Sequence, residues 1–329
     1  MAALFAHDFV DFAKAFDSVC HNKLLFKLRQ YGITGSLLAW IADFLTDRSH
    51  KTRVSGCMST ALPITSGVVQ GSCLGPLLFL LYINDLPDLI DGGVSIKLFA
   101  DDVKLYTNIT LPPDVKNVVL QEHLDKLAKW ANDWQLPISY SKCCVMSIGR
   151  DISINHLELN SHILNSVKDV TDLGVTYDCR LSFSQHIVNI VTKAHSRANL
   201  IVRCFVSKDV SSLLRAFTVF VRPILEYCSV VWNPHLIKDI NAIEKVQRRF
   251  TKRLAGMNGL PYEQRLTKLG IDSLEVRRMR ADIMFMYKIV FGLCEGVTRD
   301  NLFKMCSVHN HSRGHRYRVY LPVVKSSAR

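Results

Sequence analysis

The hydrophobic period of this chain changes once, near residue 180, and that change limits the folds open to it. Before it, strand-like segments alternate with helical ones; from about Ser184 nearly everything has a helical period. Residues 4–12 (LFAHDFVDF) are apolar and aromatic without helical spacing, as expected of a strand. Residues 21–46 read as helix, with Leu24, Leu25, Leu28, Leu37, Leu38, Ile41, Phe44 and Leu45 on one face and interruptions at Gly32 and Gly35. Lys51 to Ser66 alternates like a hairpin. GSCLGPLLFLLYINDL opens a helix behind a glycine-rich turn, and its apolar run Leu74–Ile83 is predicted to be buried. Ser95 to Tyr106 (SIKLFADDVKLY) reads as two short strands around an acidic pair, with Asp102-Val103 at the tight turn. Leu120 to Trp134 is helical again, and residues 142–177 form short strands. The pattern predicts an α+β fold: an antiparallel sheet with helices on one face, then a helical region. A weaker break falls at Trp232-Asn233-Pro234.

At 329 residues the chain is long enough for two or three compact units. Leu74–Ile83 falls far short of the roughly 20 residues that cross a bilayer, and MAALFAHDFV lacks a basic leader region, so the expectation is an intracellular protein without a membrane partner. The ten cysteines show no C-x-x-C spacing, and in a reducing compartment most are expected to be small buried hydrophobes.

The net charge of +12 is placed unevenly. Residues 1–110 hold 9 Lys and Arg against 10 Asp and Glu, and residues 111–244 hold 14 against 13. Residues 245–329 hold 18 against 6, so the whole excess lies in the last quarter. A basic region beside a carboxylate-rich one fits a nucleic-acid enzyme, one part gripping phosphates and the other holding cations. The plainer reading is a solvated helical face. Within this region IEKVQRRFTKRL (Ile243 to Leu254) is a basic amphipathic helix, offering Lys245, Arg248, Arg249, Lys252 and Arg253 to phosphates.

Two acidic groups stand out. Asp11 lies in FVDFAKAFD with Asp17 six residues on, and Asp101-Asp102 lies in FADD. Carboxylates at strand ends are costly to leave unpaired, so lysine, arginine or divalent metal should neutralise them. Either group alone is compatible with an ordinary turn. Between them runs SGVVQGSCLGPLLF, Ser66 to Phe79, where glycines permit close backbone approach, Pro76 suits a first helical turn, and Gln70 offers both a donor and an acceptor.

The order D…QGxxLGPLLF…ADD resembles the reverse transcriptases of non-LTR (LINE, jockey-like) retrotransposons. The resemblance implies a reverse-transcriptase palm over residues 1–180 (motifs A to E), a helical thumb over 181–240 and a basic helical C-terminal region over 241–329. It puts Asp11 on motif A, Gln70 and Gly71 on motif B, and Asp101 and Asp102 on motif C. Lys142 in SYSKCCVM matches the motif D lysine, and Leu173-Gly174 in VTDLGVTYD the primer-grip hairpin of motif E. The later VRPILEYCSVVWNPH and IEKVQRRFTKRL resemble segments that follow the palm in the same elements.

The activity so implied is RNA-directed DNA polymerisation, with an RNA template, a DNA primer and dNTP substrates. Two Mg²⁺ (or Mn²⁺) ions roughly 3.5 to 4 Å apart would clamp the in-line displacement, held by Asp11, Asp101 and Asp102. Asp11 and Asp101 are expected to bridge the ions and Asp102 to support them, because neighbours along a strand diverge. Phe16 matches a steric gate against a 2′-hydroxyl, with a core phenylalanine as the alternative, and Phe12, Gln70 and Gly71 are expected along the nucleotide. Lys142 would donate a proton to the leaving pyrophosphate, with a solvated lysine as the alternative. Asp17 is read as structural, capping or pairing near the next helix.

The same resemblance places a fingers segment and an endonuclease upstream. Met1 stands ten residues before Asp11, so both are expected to lie outside this chain. A protein supplying fingers in trans is an open possibility. Two readings follow: a working polymerase, or a catalytically silent remnant that only binds nucleic acid. A metal-dependent nuclease would share the carboxylates but gives no reason for SGVVQGSCLGP. Nuclear residence is implied only by the way such elements copy themselves. Cys294, Cys306, His309, His311 and His315 invite a zinc reading, but their spacing fits no standard finger; phosphate contact by Arg313, Arg316 and Arg318 is the better functional reading, with ordinary surface exposure as the default.

Overall fold

The computed structural model describes residues 5–91, 93–108, 113–149, 157–297, 299–303 and 319–320. The chain is mixed α+β and falls into two compact units, one of residues 1–172 with 176–182, the other of residues 173–175 with 183–329.

The first unit opens with β1 (Phe5–Asp11), a single turn α1 (Ala15–Ser18), and helices α2 (His21–Gln30) and α3 (Gly35–Leu45). A nested hairpin follows, β2 (Ser49–His50) pairing β5 (Leu62–Pro63) around β3 (Arg53–Val54) and β4 (Cys57–Met58). Then come α4 (Leu74–Ile83), β6 (Val94–Phe99), β7 (Asp102–Asn108), α5 (Pro113–Asp133) and β8 (Cys144–Ile148). Short strands close the unit: β9 (Glu158–Leu159), β10 (His162–Ile163), β11 (Asn165–Ser166), β12 (Asp169–Asp172) and β13 (Val175–Asp178). The main sheet runs β11-β8-β1-β7-β6, with β1 antiparallel to both β7 and β8.

Side chains on β1 and β7 alternate between two faces, as strand geometry demands. Val10, Val103 and Leu105 are buried on one face, in a core shared with Leu24, Leu28, Phe79, Tyr82, Leu124 and Leu127 of the helices. The other face carries Asp11 opposite Asp102 and Phe9 opposite Lys104. Lys27 is buried in that core, only 3 % exposed, with its ammonium bonded to Asp85 Oδ1 at 2.5 Å and to the carbonyl of Tyr82. The rings of Tyr82, Trp130 and Trp134 surround it, the last centred 3.7 Å away.

Three sequence expectations are corrected. The turn between β6 and β7 is Ala100-Asp101, two residues earlier than the hairpin pattern suggested, with Ala100 in the left-handed region at φ 51°. Leu37 is exposed because the buried line of α3 is Leu38, Ile41 and Leu45, and a helical neighbour lies about 100° round from it. The apolar run Leu74–Ile83 is buried along only one side: Leu78, Phe79, Tyr82 and Ile83 face the core, whereas Leu77 and Leu80 are exposed.

The second unit is helical: α6 (Ser184–Cys204), α7 (Val210–Phe220), α8 (Arg222–Glu226), α9 (Ser229–Trp232), α10 (Ile237–Lys252), α11 (Tyr262–Leu269), α12 (Leu274–Val290) and α13 (Arg299–Leu302). Ile187, Ala194, Ala198 and Ile201 of α6 meet Ile243, Val246 and Phe250 of α10 in one core. Phe250 stacks on Phe217 with ring centroids 4.5 Å apart, a contact of about 1 kcal/mol beyond its buried area. Side-chain caps start α7, where Asp209 accepts from Ser212 N at 2.8 Å, and α12, where Ser273 accepts from Val276 N at 3.2 Å. Helix α10 runs unbroken across residue 240 within this shared core. Among the described residues no helix is long and apolar enough to cross a membrane.

Candidate active site

Antiparallel pairing of β1 and β7 sets Asp11 directly opposite Asp102, and Asp101 occupies the turn beside them. Opposed residues on neighbouring strands project from the same face, so the register brings the two carboxylates together at one end of the β1–β7 ladder. Burial pushes the Asp102 carboxyl above the ordinary carboxylate range; the charges of Asp101, Asp11 and Asp172 add to this and Lys104 opposes it.

The counter-charge comes from a distant part of the sequence. The Lys142 Nζ lies 2.7 Å from Asp11 Oδ2. Its hydrogen bond and charge interaction with Asp11 raise the lysine pKa, with smaller contributions from Asp101 and Asp102. Backbone pairing explains why Lys142 arrives here: Ser139 N donates to the carbonyl of Asp11 at 2.8 Å, and Lys142 N donates to the carbonyl of Ser139 at 2.9 Å. Among the described residues no three His, Cys, Asp or Glu side chains form a ready-made cation cage. The side chains of Asp11, Asp101 and Asp102 nonetheless offer only hard carboxylate oxygens, the chemistry that suits magnesium.

The Ser66–Gly71 segment lies along the first turn after β1. Gly67 N donates to Val19 O and Val68 N to Phe16 O, both at 2.8 Å. Ser66 Oγ donates to the Asp17 carbonyl at 2.9 Å, and the amide of Gln70 donates through Nε2 to Asp17 Oδ1 at 2.7 Å. His21, buried, reaches the Gly67 carbonyl with Nε2 at 2.8 Å. Gly67 has φ 89°, and a Cβ there would stand 2.8 Å from Asp17 Cα, so only glycine permits this approach. Gln70 and Gly71 are exposed.

Asp17 therefore pairs across to Gln70, and α2 starts at Cys20 without any side-chain cap. Its acidic character in FAKAFD was visible in the sequence, but its partner 53 residues away was not. Phe16 is half-buried and stacks on Phe79 of α4, with centroids 4.3 Å apart. Phe12 is 1 % exposed and packs toward Trp130, because the alternation that exposes Asp11 turns residue 12 into the core. Its ring is part of the core and does not line the nucleotide's path, contrary to the expectation from resemblance.

The β12–β13 hairpin carries Leu173 and Gly174 at its tip, both with positive φ, 44° and 82°. Tyr227 donates its hydroxyl to the Leu173 carbonyl at 3.0 Å. Asp172, just before the tip, forms an ion pair with Lys104 of β7, two residues beyond Asp102. Sequence reading missed this pair; the lysine within FADDVKLY was its only signal.

Lys245, Arg248, Arg249 and Lys252 of α10 and Arg253 just past its end are all exposed, opposite the buried Ile243, Val246 and Phe250. Two of them have partners: the Arg248 guanidinium lies 4.9 Å from the centre of the Tyr262 ring, and Arg253 bonds Asn199 at 2.7 Å. The neighbouring His195 on α6 is held below the ordinary imidazole range by burial, then by the charges of Arg249 and Lys245. Of the histidine-rich C-terminal cluster, Cys294 is half-buried; Cys306, His309, His311, His315, Arg313, Arg316 and Arg318 lie outside the described residues.

Two aspartates opposed at the ends of neighbouring strands, with a third in the adjoining turn, are the arrangement of an α+β enzyme fold whose carboxylates could hold cations. The family model described as "Reverse transcriptase (RNA-dependent DNA polymerase)" matches residues 8–177, and the chain belongs to that family. It is 28 % identical over 258 residues to the RNA-directed DNA polymerase of the mobile element jockey from Drosophila funebris, covering 75 % of this chain and 28 % of that protein. The probable RNA-directed DNA polymerase of transposon BS from Drosophila melanogaster is 28 % identical over 284 residues, covering 80 % of this chain and 30 % of that protein. The chain thus spans under a third of the length of these relatives, which come from non-LTR retrotransposons. A solved telomerase from Candida tropicalis, in complex with a telomeric RNA fragment, aligns with 91 % of this chain and 48 % of its own at 10 % identity and a TM-score of 0.41.

Proposed function

We propose that this chain carries the polymerase centre of a mobile-element reverse transcriptase and extends a DNA primer along an RNA template. The observation that supports this most is the ion pair of Lys142 with Asp11, set where Asp102 lies opposite Asp11 and Asp101 occupies the adjoining turn, all within one unit. Asp11, Asp101 and Asp102 would hold two Mg²⁺ or Mn²⁺ ions. When bound, such ions lower the pKa of the primer 3′-hydroxyl and neutralise the departing pyrophosphate.

The chain's own residues do the rest. Gln70 and Gly71 line the incoming nucleotide and template base, and Phe16 lies beneath the sugar, where its ring would oppose a 2′-hydroxyl. Lys142 moves from Asp11 to protonate the pyrophosphate as it leaves. Leu173 and Gly174 support the primer end, and the α10 cations grip phosphates. Residues 1–180 act as palm, 181–240 as thumb and 241–329 as the basic C-terminal region. The nucleus is the place of action this reading implies.

The test is primer extension on an RNA template with dNTPs and Mg²⁺ or Mn²⁺, comparing the wild type with an Asp101→Ala, Asp102→Ala double variant. Extension by the wild type alone supports the proposal. Folded, RNA-bound protein that fails to extend in either form replaces it with a silent nucleic-acid-binding remnant.

A further inference from the structure

The Asp17 carboxylate has one side-chain partner among the described residues, the Gln70 amide, and forms no ion pair among them. A carboxylate only accepts, so it must face the amide's NH₂ group. The bond therefore fixes which end of Gln70 points where: Nε2 is held back against Asp17, and Oε1 is turned away from it. The backbone makes this hold stiff. Asp17 N donates to the Lys14 carbonyl at 2.8 Å, and the Asp17 carbonyl is itself gripped by Ser66 Oγ. The two main-chain bonds of Gly67 and Val68 and the buried His21 then lock the segment that carries Gln70 against the segment that carries Asp17.

We propose that Asp17 is a positioning residue that sets the polarity of the Gln70 amide, so that Gln70 meets the nucleotide or template base as an acceptor through Oε1. The group it recognises is then a hydrogen-bond donor on the sugar or base. This rests on the polymerase reading of the site, and it adds a role for a carboxylate that holds no metal. A charge-assisted bond of this kind stiffens a side chain that is otherwise free at the surface. Its loss lets the amide rotate and present either end.

The test is a double-variant cycle read on the dNTP KM and kcat of primer extension, using Asp17→Ala, Gln70→Ala and both together. Asp17→Ala is expected to raise the KM about tenfold, the size of one lost charge-assisted bond, with kcat at saturation falling less than about twofold. In the Gln70→Ala background the Asp17 substitution should add nothing, because its only route of action is gone. Asp17→Asn, which keeps an accepting oxygen, should restore most of the loss. Additive effects, or a fall in kcat with unchanged KM, overturn the proposal and make Asp17 a support of the fold.

If the wild type does not extend a primer, the polymerase reading fails for this chain. The positioning role is then read by the same cycle on binding of labelled dTTP with Ca²⁺ by equilibrium dialysis. Non-additive loss of binding supports it, and additive loss or no binding by the wild type overturns it.

Discussion

Lys142 and Asp11, 131 residues apart in sequence, form an ion pair of 2.7 Å at the end of the central strand of the main sheet. The ammonium stands where a carboxylate cluster of this kind would hold a cation, so the two should compete. Lys142→Met is expected to lower the Mg²⁺ or Mn²⁺ concentration that half-saturates the metal-induced rise in melting temperature, while slowing extension. An unchanged midpoint would show that the lysine and the ion do not share the site.

Asp102 illustrates the cost of gathering like charges. Its carboxyl is raised above the ordinary range, chiefly by burial and then by Asp101, so the folded state holds it ionised less readily than the unfolded chain does. Removing the charge should relieve this. Asp102→Asn is expected to melt slightly higher than the wild type at pH 7 in EDTA and to lose primer extension. A lower melting temperature in EDTA would count against repulsion among these carboxylates.

Lys27 offers a pH test far from the site. Burial lowers its pKa from 10.5 to about 8, although the Asp85 hydrogen bond and charge work against the shift. Between those two values the unfolded chain keeps a proton that the folded one has released. This group therefore makes stability rise as pH climbs from about 8 to about 10.5. Asp85→Ala strands the buried ammonium and should cost about 3 kcal/mol at pH 7, the low end for a broken buried pair. The loss should shrink toward pH 10, where Lys27 is neutral in the fold. Urea titrations at both values check this, and an equal loss at each would contradict it.

The exposed cations of α10 predict a salt signature. Lys245→Ala and Arg249→Ala should each weaken binding to a single-stranded RNA irrespective of its sequence. Each should reduce the slope of log K against log salt by about 0.7, the share of one phosphate contact. Substitutions that leave the slope unchanged would remove α10 from the interface.

Much of the architecture follows from local pattern. The strand of Asp11, the split of residues 21–46 at Gly32 and Gly35, the nested hairpin before Ser66 and the basic face of α10 all follow from alternation, helical spacing and glycine. These are properties of neighbours along the chain. The errors share a cause as well. The turn at Ala100-Asp101 rests on one alanine in the left-handed region, a conformation that a pattern rule assigns elsewhere. Resemblance places Phe12 along the nucleotide, while the alternation of β1 turns it into the core.

The sequence by itself determined the order of the acidic and glutamine-bearing segments, their strand or turn character and the basic bias of the last quarter, because each is local in the chain. Tertiary structure alone decided that Asp11 stands opposite Asp102, that Lys142 bonds Asp11, that Asp17 holds Gln70, and that Lys27 sits among three rings. Those pairings depend on strand register and on segments tens of residues apart meeting in space. A shift of register by one residue would turn Asp102 from the open face to the core, and no short-range pattern encodes that choice.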